Sequence, residues 1–250
     1  MQIKYRTDIG KRRQSNQDAV AVFSNQKNLH LAIVADGMGG HQAGDVASHL
    51  IISGLGEDWQ KTELETSQEI IQWLLQHIQR ENDDIFEKGR QNPTQIGMGT
   101  TIVAVVTLEK SVVLSHVGDS RCYLIRQGQI KQVTDDHSLV NELVKTGEIT
   151  PEMANHHPRK NILVRSIGVP GTVETDVTEL EIEPGDKLLL CSDGLSNMLT
   201  DDQILHIIET SSDLEVALDQ LVQQANQAGG FDNITALICD YSAEKERGGA

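Results

Sequence analysis

The stretch Ile33-Val34-Ala35-Asp36-Gly37-Met38-Gly39-Gly40-His41 decides how the rest of the chain is read. Leu31 to Ala35 is a short apolar run of the kind that forms a buried strand. The run stops on a carboxylate, and three of the next four residues are glycine. Glycine lets the backbone take positive φ there and leaves no side chain to crowd a ligand. Just beyond, Val46, Ala47, Leu50, Ile51 and Leu55 share one helical face. Alone, an Asp-Gly pair usually marks only a turn. Its weight here comes from repetition.

Three further acidic positions have a similar setting. Asp119 follows the apolar run that ends at Val117, and Asp193 follows Leu189-Leu190-Cys191-Ser192. At Asp232 the order inverts, because Asp232-Asn233 leads into the run Ile234–Cys239. That inversion is what an antiparallel neighbour needs to place its carboxylate at the same end of a sheet. Asp18 precedes the alternating segment Ala19–Phe23 and can join the same end. Taken singly, each aspartate is a turn or cap residue. Gathered together, they would repel one another unless cations lay between them. With oxygen ligands only, and no Cys or His at ligand spacing, the ions indicated are Mg²⁺ or Mn²⁺. Arg13 lies five residues before Asp18. Beside such a site, its planar fork suits a phosphate.

Strand signals recur at His30–Ala35, Thr101–Leu108, Val112–Val117, Cys122–Ile125, Lys187–Cys191 and Thr235–Cys239, with an extended segment before Arg13. Joints as short as Glu109-Lys110 and Gln127-Gly128 imply antiparallel hairpins. Helices are expected over about 44–54, from Thr66 onward, over Asp201–Ile208 and over Leu214–Ala225. The last three carry capping boxes, Thr66 with Glu69, Thr200 with Gln203 and Ser212 with Glu215. The pattern predicts an α+β fold, a four-layer α-β-β-α sandwich of two antiparallel sheets flanked by helix pairs. Residues 134–166 are polar and His- and Pro-containing, and they read equally as a flap over the domain or as a long surface connection. One domain is expected over 1–243, with 244–250 a flexible tail.

Composition narrows the class further. A net charge of −16 argues against a nucleic-acid partner, which needs a basic surface. The apolar runs are too short to span a membrane, and Met1–Asp8 has no signal-peptide core, so a cytoplasmic location without membrane insertion is expected. Cys122, Cys191 and Cys239 each lie in or beside an apolar run and read as core residues in a reducing compartment. His116 reads the same way.

Together these segments resemble the metal-dependent protein phosphatases of the PPM, or protein phosphatase 2C-like, family, and above all its compact bacterial Ser/Thr members. Asn16-Gln17-Asp18 after Arg13, Asp36 to His41, Gly99–Thr101, Gly118–Arg121, Ser192–Gly194 and Asp232-Asn233 stand in the family's order over about residues 5–241. The resemblance implies hydrolysis of phosphoserine and phosphothreonine by direct attack of a metal-bridging water. It implies two core Mn²⁺ or Mg²⁺ ions, with Asp36 between them, the Gly37 carbonyl on one and Asp193 and Asp232 on the other. Asp18 would act through a water, and Asp119 with Asp193 would hold a third, weaker ion. Arg13 matches the family's phosphate-gripping arginine, and 134–166 its variable flap. Where many animal relatives have a histidine directly after Asp-Gly, Met38 stands here. The leaving-group acid is therefore His41, a water on the third ion, or no protein group, and His41 is carried as the candidate.

Phosphoproteins are the implied partners, with a cognate Ser/Thr protein kinase acting in opposition and a monomer as the default state. The rival readings are a phosphatase-like binding module that turns nothing over and a hydrolase of small phosphate esters. Inactive relatives lack ligand carboxylates, and this chain retains all of them.

Overall fold

The computed structural model describes residues 1–40, 43–155 and 157–242. In chain order the first strands are β1 (Gln2–Asp8), β2 (Asp18–Ser24), β3 (His30–Met38), β4 (Gly99–Thr100), β5 (Ile102–Thr107) and β6 (Ser111–Val117). They are followed by β7 (Arg121–Arg126), β8 (Gln129–Gln132), β9 (Asp176–Glu181), β10 (Lys187–Cys191) and β11 (Ile234–Asp240). The helices are α1 (Ala43–Trp59), α2 (Ser67–Gln91), α3 (Leu139–Lys145), α4 (Pro151–Asn155), α5 (Asp193–Ser196), α6 (Asp201–Thr210) and α7 (Leu214–Gln227).

One sheet runs β1-β11-β10-β7-β8 and the other β2-β3-β5-β6-β9, with β4 pairing the end of β3, and all these pairings are antiparallel. The period-2 alternation of the strands makes the layers. In β3, Ala32 and Val34 face the opposite sheet, where Leu188, Leu190, Leu237 and Cys239 meet them. Leu31, Ile33 and Ala35 face the other way, toward Ala47, Ile51 and Leu55 of α1 and Leu74 and Ile78 of α2. On the second sheet Leu189, Ala236 and Ile238 pack under Ile204, Ile207, Leu218 and Leu221 of α6 and α7. The expected four-layer sandwich is the observed one.

Among the elements that differ from the sequence reading, three show why. The first helix runs on to Trp59 rather than stopping near Gly54, because Leu55 and Trp59 continue its buried face. The cap of α7 is Asp213, whose side chain accepts from the Val216 N–H, and not Ser212. A carboxylate at that position also favours the positive end of the helix. Strand β9 went unread, since its burial is only partial and Glu179 and Glu181 break the apolar alternation. Its place in the sheet comes from pairing with β6. The boxes at Thr66 and Thr200 form as expected. No helix among the described residues is long and apolar enough to cross a membrane.

The topology collects the acidic positions at one end. Asp18 opens β2 and lies directly opposite Asp36 in the β2–β3 register. Strand β10 ends at Cys191, which is opposite Ala236 of β11, so Asp193 and Asp232 flank the same edge. Residues 118–120 cross from the end of β6 in one sheet to the start of β7 in the other. Leu237→Ala, at the centre of the inter-sheet core, should cost about 2–5 kcal/mol, read as a lowered urea midpoint. A shift worth less than about 0.5 kcal/mol would show that the two sheets do not share that core.

Candidate metal centre

Asp36 stands on a strand end whose backbone is fully engaged. Its N–H donates to Thr101 Oγ1 at 2.9 Å, and its carbonyl accepts from the Thr101 N–H at 2.9 Å and from Thr100 Oγ1 at 2.9 Å. The two threonines after Gly99 thus hold the carboxylate's main chain and leave its side chain to the cleft. Thr101 Oγ1 also hydrogen-bonds Ser120 Oγ at 2.7 Å, which ties the Asp36 strand to the loop that carries Asp119. Gly37 donates its N–H to the Gln17 carbonyl at 3.0 Å. Any Cβ on Gly37 would collide with the Gly44 carbonyl oxygen, so strand end and helix α1 meet backbone to backbone there.

Asp18 and Asp193 are held by neutral groups. Ser192 Oγ donates to Asp18 Oδ2 at 2.7 Å and itself accepts from the Thr235 N–H at 3.0 Å. Asn197 donates to Asp193 Oδ2 at 2.9 Å. Asn233 braces the β1–β2 connection at three points. Its carbonyl accepts from the Gln17 N–H at 2.8 Å, and its amide donates to the carbonyls of Ile9 (2.9 Å) and Ser15 (3.0 Å). This pins the chain around Arg13 and Asp18 against β11. Arg13 Nη2 lies 2.7 Å from Asp232 Oδ2, and its side chain is half exposed over the cleft. Its charge faces the cluster and is favoured by the Asp232 hydrogen bond and then by Asp36 and Asp193.

Arg13, Asp36, Gly37, Asp119, Asp193 and Asp232 line one open cleft of about 350 Å³. Asp18 lies buried behind it at 4% exposure. Every sequence-named residue of the site meets here except His41, which lies outside the described residues. From the flap segment, Asn161, Leu163 and Ser166 also line the cleft. Sequence reading did not find them, since they carry no periodicity and no charge. Asn233 and Ser192 were quoted there only as neighbours of the aspartates. Their role as braces emerges with the fold.

The electrostatics of the cluster are unfavourable as they stand. Burial, opposed by hydrogen bonds from Ser192 and Thr235, pushes the Asp18 carboxyl up to about 7 from an ordinary 3.8. Burial and the neighbouring Asp193 push Asp119 up to about 7. Burial and Asp232 push Asp193 up to about 6. Asp36 is raised well above the ordinary carboxylate value, by burial and then by Asp18, Asp193, Asp119 and Asp232 together. The Asp36 and Asp193 side chains are within hydrogen-bonding reach, which two carboxylates tolerate only by sharing a proton or a cation. Asp18 Oδ1 and Asp193 Oδ1 are both buried without a hydrogen-bond partner. Buried oxygens without partners, all of them hard donors, are what Mg²⁺ or Mn²⁺ would satisfy. The donor set fits such ions.

A second group, His116, His137 and Asp176, also brings ligand-type atoms within 4.8 Å of one another. It already has its cation. Arg165 Nη1 lies 2.8 Å from Asp176 Oδ1 and 3.3 Å from His137 Nε2. The two imidazoles are stacked, with centroids 4.5 Å apart, and His116 Nε2 reaches the Asp135 carbonyl at 3.0 Å. His137 takes the Gly118 N–H on Nδ1 (3.1 Å) and gives its own N–H to the Gly118 carbonyl (2.9 Å). We read this group as a tether between the flap ends and the Asp119 loop.

The raised carboxyls set the sign of a pH effect. The folded chain holds protons on Asp18 and Asp119 up to about 7 and on Asp193 up to about 6, whereas the unfolded chain releases them near 3.8. Between these values the folded state binds more protons, so its stability falls as pH rises. EDTA-treated protein should therefore melt at a lower temperature at about pH 8 than at about pH 5.5. Added Mn²⁺ should raise the melting temperature more at the higher pH, because ligand carboxyls must first lose their protons. A melting temperature that climbs with pH across this window, or a pH-independent response to Mn²⁺, would contradict the cluster.

Comparison with known proteins is consistent with this geometry. The sequence model of the protein phosphatase 2C family matches residues 10–238. The serine/threonine phosphatase Stp of Listeria monocytogenes is 45% identical over 241 residues, which is 96% of either chain. The solved structure of the Streptococcus agalactiae serine/threonine phosphatase superposes with a TM-score of 0.93 at 44% identity, covering 97% of this chain and 99% of that one. The catalytic domain of the serine/threonine phosphatase PstP, solved in complex with two manganese ions, superposes with a TM-score of 0.85 at 34% identity, covering 97% and 98%. With the family match spanning nearly its whole length and its aspartates at one edge of a two-sheet sandwich, the chain belongs to the protein phosphatase 2C family.

Proposed function

We propose that this chain is a metal-dependent protein phosphatase that hydrolyses phosphoserine and phosphothreonine in proteins. Residues 1–243 form its single catalytic domain and 134–166 its flap. The observation that carries the reading is the convergence of Asp18, Asp36, Asp119, Asp193 and Asp232, with Arg13 above them, on one cleft. The names of the relatives support the Ser/Thr specificity. Asp36 and the Gly37 carbonyl, with Asp193 and Asp232, would hold two ions. Asp18 would reach them through water, and Asp119 with Asp193 would take a third. When bound, Mn²⁺ or Mg²⁺ supplies a nucleophilic water near neutral pH and offsets the charge of the phosphate.

The chain's own residues do the rest. Arg13, half exposed and paired with Asp232 through one terminal nitrogen, can turn its remaining donors to phosphate oxygens that rest in the cleft. The braces from Thr100, Thr101 and Asn233 keep the carboxylates in place as the substrate enters. No cysteine competes as nucleophile. Burial pushes Cys191 and Cys239 up to about 12 and raises Cys122 well above its ordinary value, so none is a thiolate near neutral pH. Met38, where animal relatives have histidine, offers no proton, and the candidate acid stays with His41. The opposing activity is a Ser/Thr protein kinase. The three unpaired buried cysteines accord with a reducing, cytoplasmic setting, and the chain is read as a monomer.

Asp36→Asn should cut phosphopeptide turnover by at least about 100-fold and weaken Mn²⁺ binding in calorimetry. Strong Mn²⁺ binding with near-native turnover in that variant would remove Asp36 from between the ions. Arg13→Ala should raise KM for a phosphothreonine peptide by about 10-fold, with a smaller change in kcat. An unchanged KM would show that Arg13 serves Asp232 alone. A panel of phosphoproteins, nucleotides and sugar phosphates separates the protein phosphatase from a hydrolase of small esters.

A further inference from the structure

The cleft does not end at the aspartates. Beyond Met38 and Ser166, which line both spaces, it continues into a groove of about 340 Å³ walled by Phe86, Ile96, Met98 and Val169. Ile96 is 68% exposed, and Phe86, Met38 and Val169 are only half buried. The floor is bare backbone. Gly168 holds φ +91°, and a Cβ there would stand 2.7 Å from the Met98 carbonyl oxygen. On the opposite side, the recess shared through Asp119, Asn161 and Asp193 runs under α3 and α4 and is lined by Arg121, Asp136, Asn141 and Lys160. The metal cleft is therefore flanked by a polar space on one side and an apolar one on the other.

From this geometry we infer that the groove beyond Met38 is a substrate subsite, which takes one apolar side chain of the phosphoprotein next to the phosphorylated residue. The inference rests on the phosphatase reading and deepens it. A polypeptide with its phosphate among the aspartates must leave the cleft along its walls. Successive residues of an extended chain advance about 3.3 Å, so a neighbour within about three residues of the phosphate reaches the space behind Met38. A leucine or phenylalanine there would cover Ile96 and Phe86 and lose its own water. A carboxylate in the same place would be desolvated against these apolar walls, with only the solvent-exposed Arg90, already paired with Glu87 at 3.3 Å, within the lining to meet it. The groove is continuous with the cleft, and its side chains are apolar apart from Arg90 and Ser166, whereas Arg121, Asp136, Asn141 and Lys160 line the sub-flap recess. Ile96 and Phe86 thus act as specificity-determining residues, and neither touches the reacting atoms.

The test uses the full chain with Mn²⁺ and a set of phosphothreonine peptides. In each peptide one position, up to three residues on either side, carries leucine or aspartate in an otherwise alanine background. At one position the leucine peptide should exceed its aspartate counterpart in kcat/KM by about 10-fold, mainly through KM. Ile96→Asp should reduce that ratio to below about two-fold, and Ile96→Lys should shift it toward the aspartate peptide. Ile96 is exposed, so circular dichroism and melting temperature should show both variants folded. Equal kcat/KM across the wild-type series, or a leucine preference that survives in Ile96→Asp, would overturn the subsite. So would a wild-type dimer that Ile96→Asp dissolves, with no peptide preference, since the groove would then belong to a second copy. Failure of the wild-type protein to hydrolyse p-nitrophenyl phosphate with Mn²⁺ would instead overturn the phosphatase reading itself.

Discussion

The repulsion among carboxylates at one end of the sandwich is the constraint on which the rest depends. Asp18, Asp36, Asp119 and Asp193 are all pushed toward their neutral forms, in each case with burial as the largest cause. Nothing in their own chemistry holds them together. The strand pairings do, through the Asp18–Asp36 register and the antiparallel β10–β11 pair, and these pairings are stabilised far from the site by two sheets packed face to face. The frame thus bears a local electrostatic cost that divalent ions would relieve, a division common at functional sites.

Second in importance is how the frame is locked at that end. Neutral hydrogen bonds do most of the work. Thr100 and Thr101 hold the Asp36 main chain, Ser192 links Asp18 to Thr235, and Asn233 grips the β1–β2 connection at three points. Arg13 pairs with Asp232, but a charged brace on every carboxylate would compete with cations. Hydroxyls and amides position the carboxylates without neutralising them. Two oxygens are even left without partners in the protein, Asp18 Oδ1 and Asp193 Oδ1. Farther out, His137 clips Gly118 from both sides and meets Asp176 at 3.3 Å, and Arg165 reaches both of them. The flap ends and the Asp119 loop are therefore connected through ordinary structural contacts, and the aspartate cluster is the one group among those described whose balance calls for a metal.

Surroundings of the cleft give it an asymmetry that its chemistry alone does not. Lys160, Asn141 and Arg121 line one side and Ile96, Phe86 and Val169 the other, while Met38 stands between the aspartates and the apolar groove. A phosphate needs only the ions and Arg13, whereas a protein substrate must also fit these walls. The side chain after Asp-Gly in this chain, a methionine rather than a histidine, thereby becomes part of the surface that a substrate passes.

Much of this was legible before folding. The apolar runs Leu31–Ala35 and Lys187–Cys191, the short joints at Glu109-Lys110 and Gln127-Gly128, and the boxes at Thr66 and Thr200 are local signals, and local composition and hydrogen bonding generate those elements. The repeated strand-then-aspartate setting also marked which carboxylates matter, because each is encoded within a few residues. Strand β9, the reach of α1 to Trp59, the Asp213 cap, the bracing by Asn233 and the place of Asn161, Leu163 and Ser166 at the cleft were not encoded that way. Each depends on what the rest of the chain brings alongside. The sequence by itself determined the layers and the identity of the acidic residues. Only the tertiary structure decided which oxygens lie buried without partners and which walls a substrate meets, since both arise from contacts between segments far apart in the chain, as between Asp18 and Ser192, 174 residues apart.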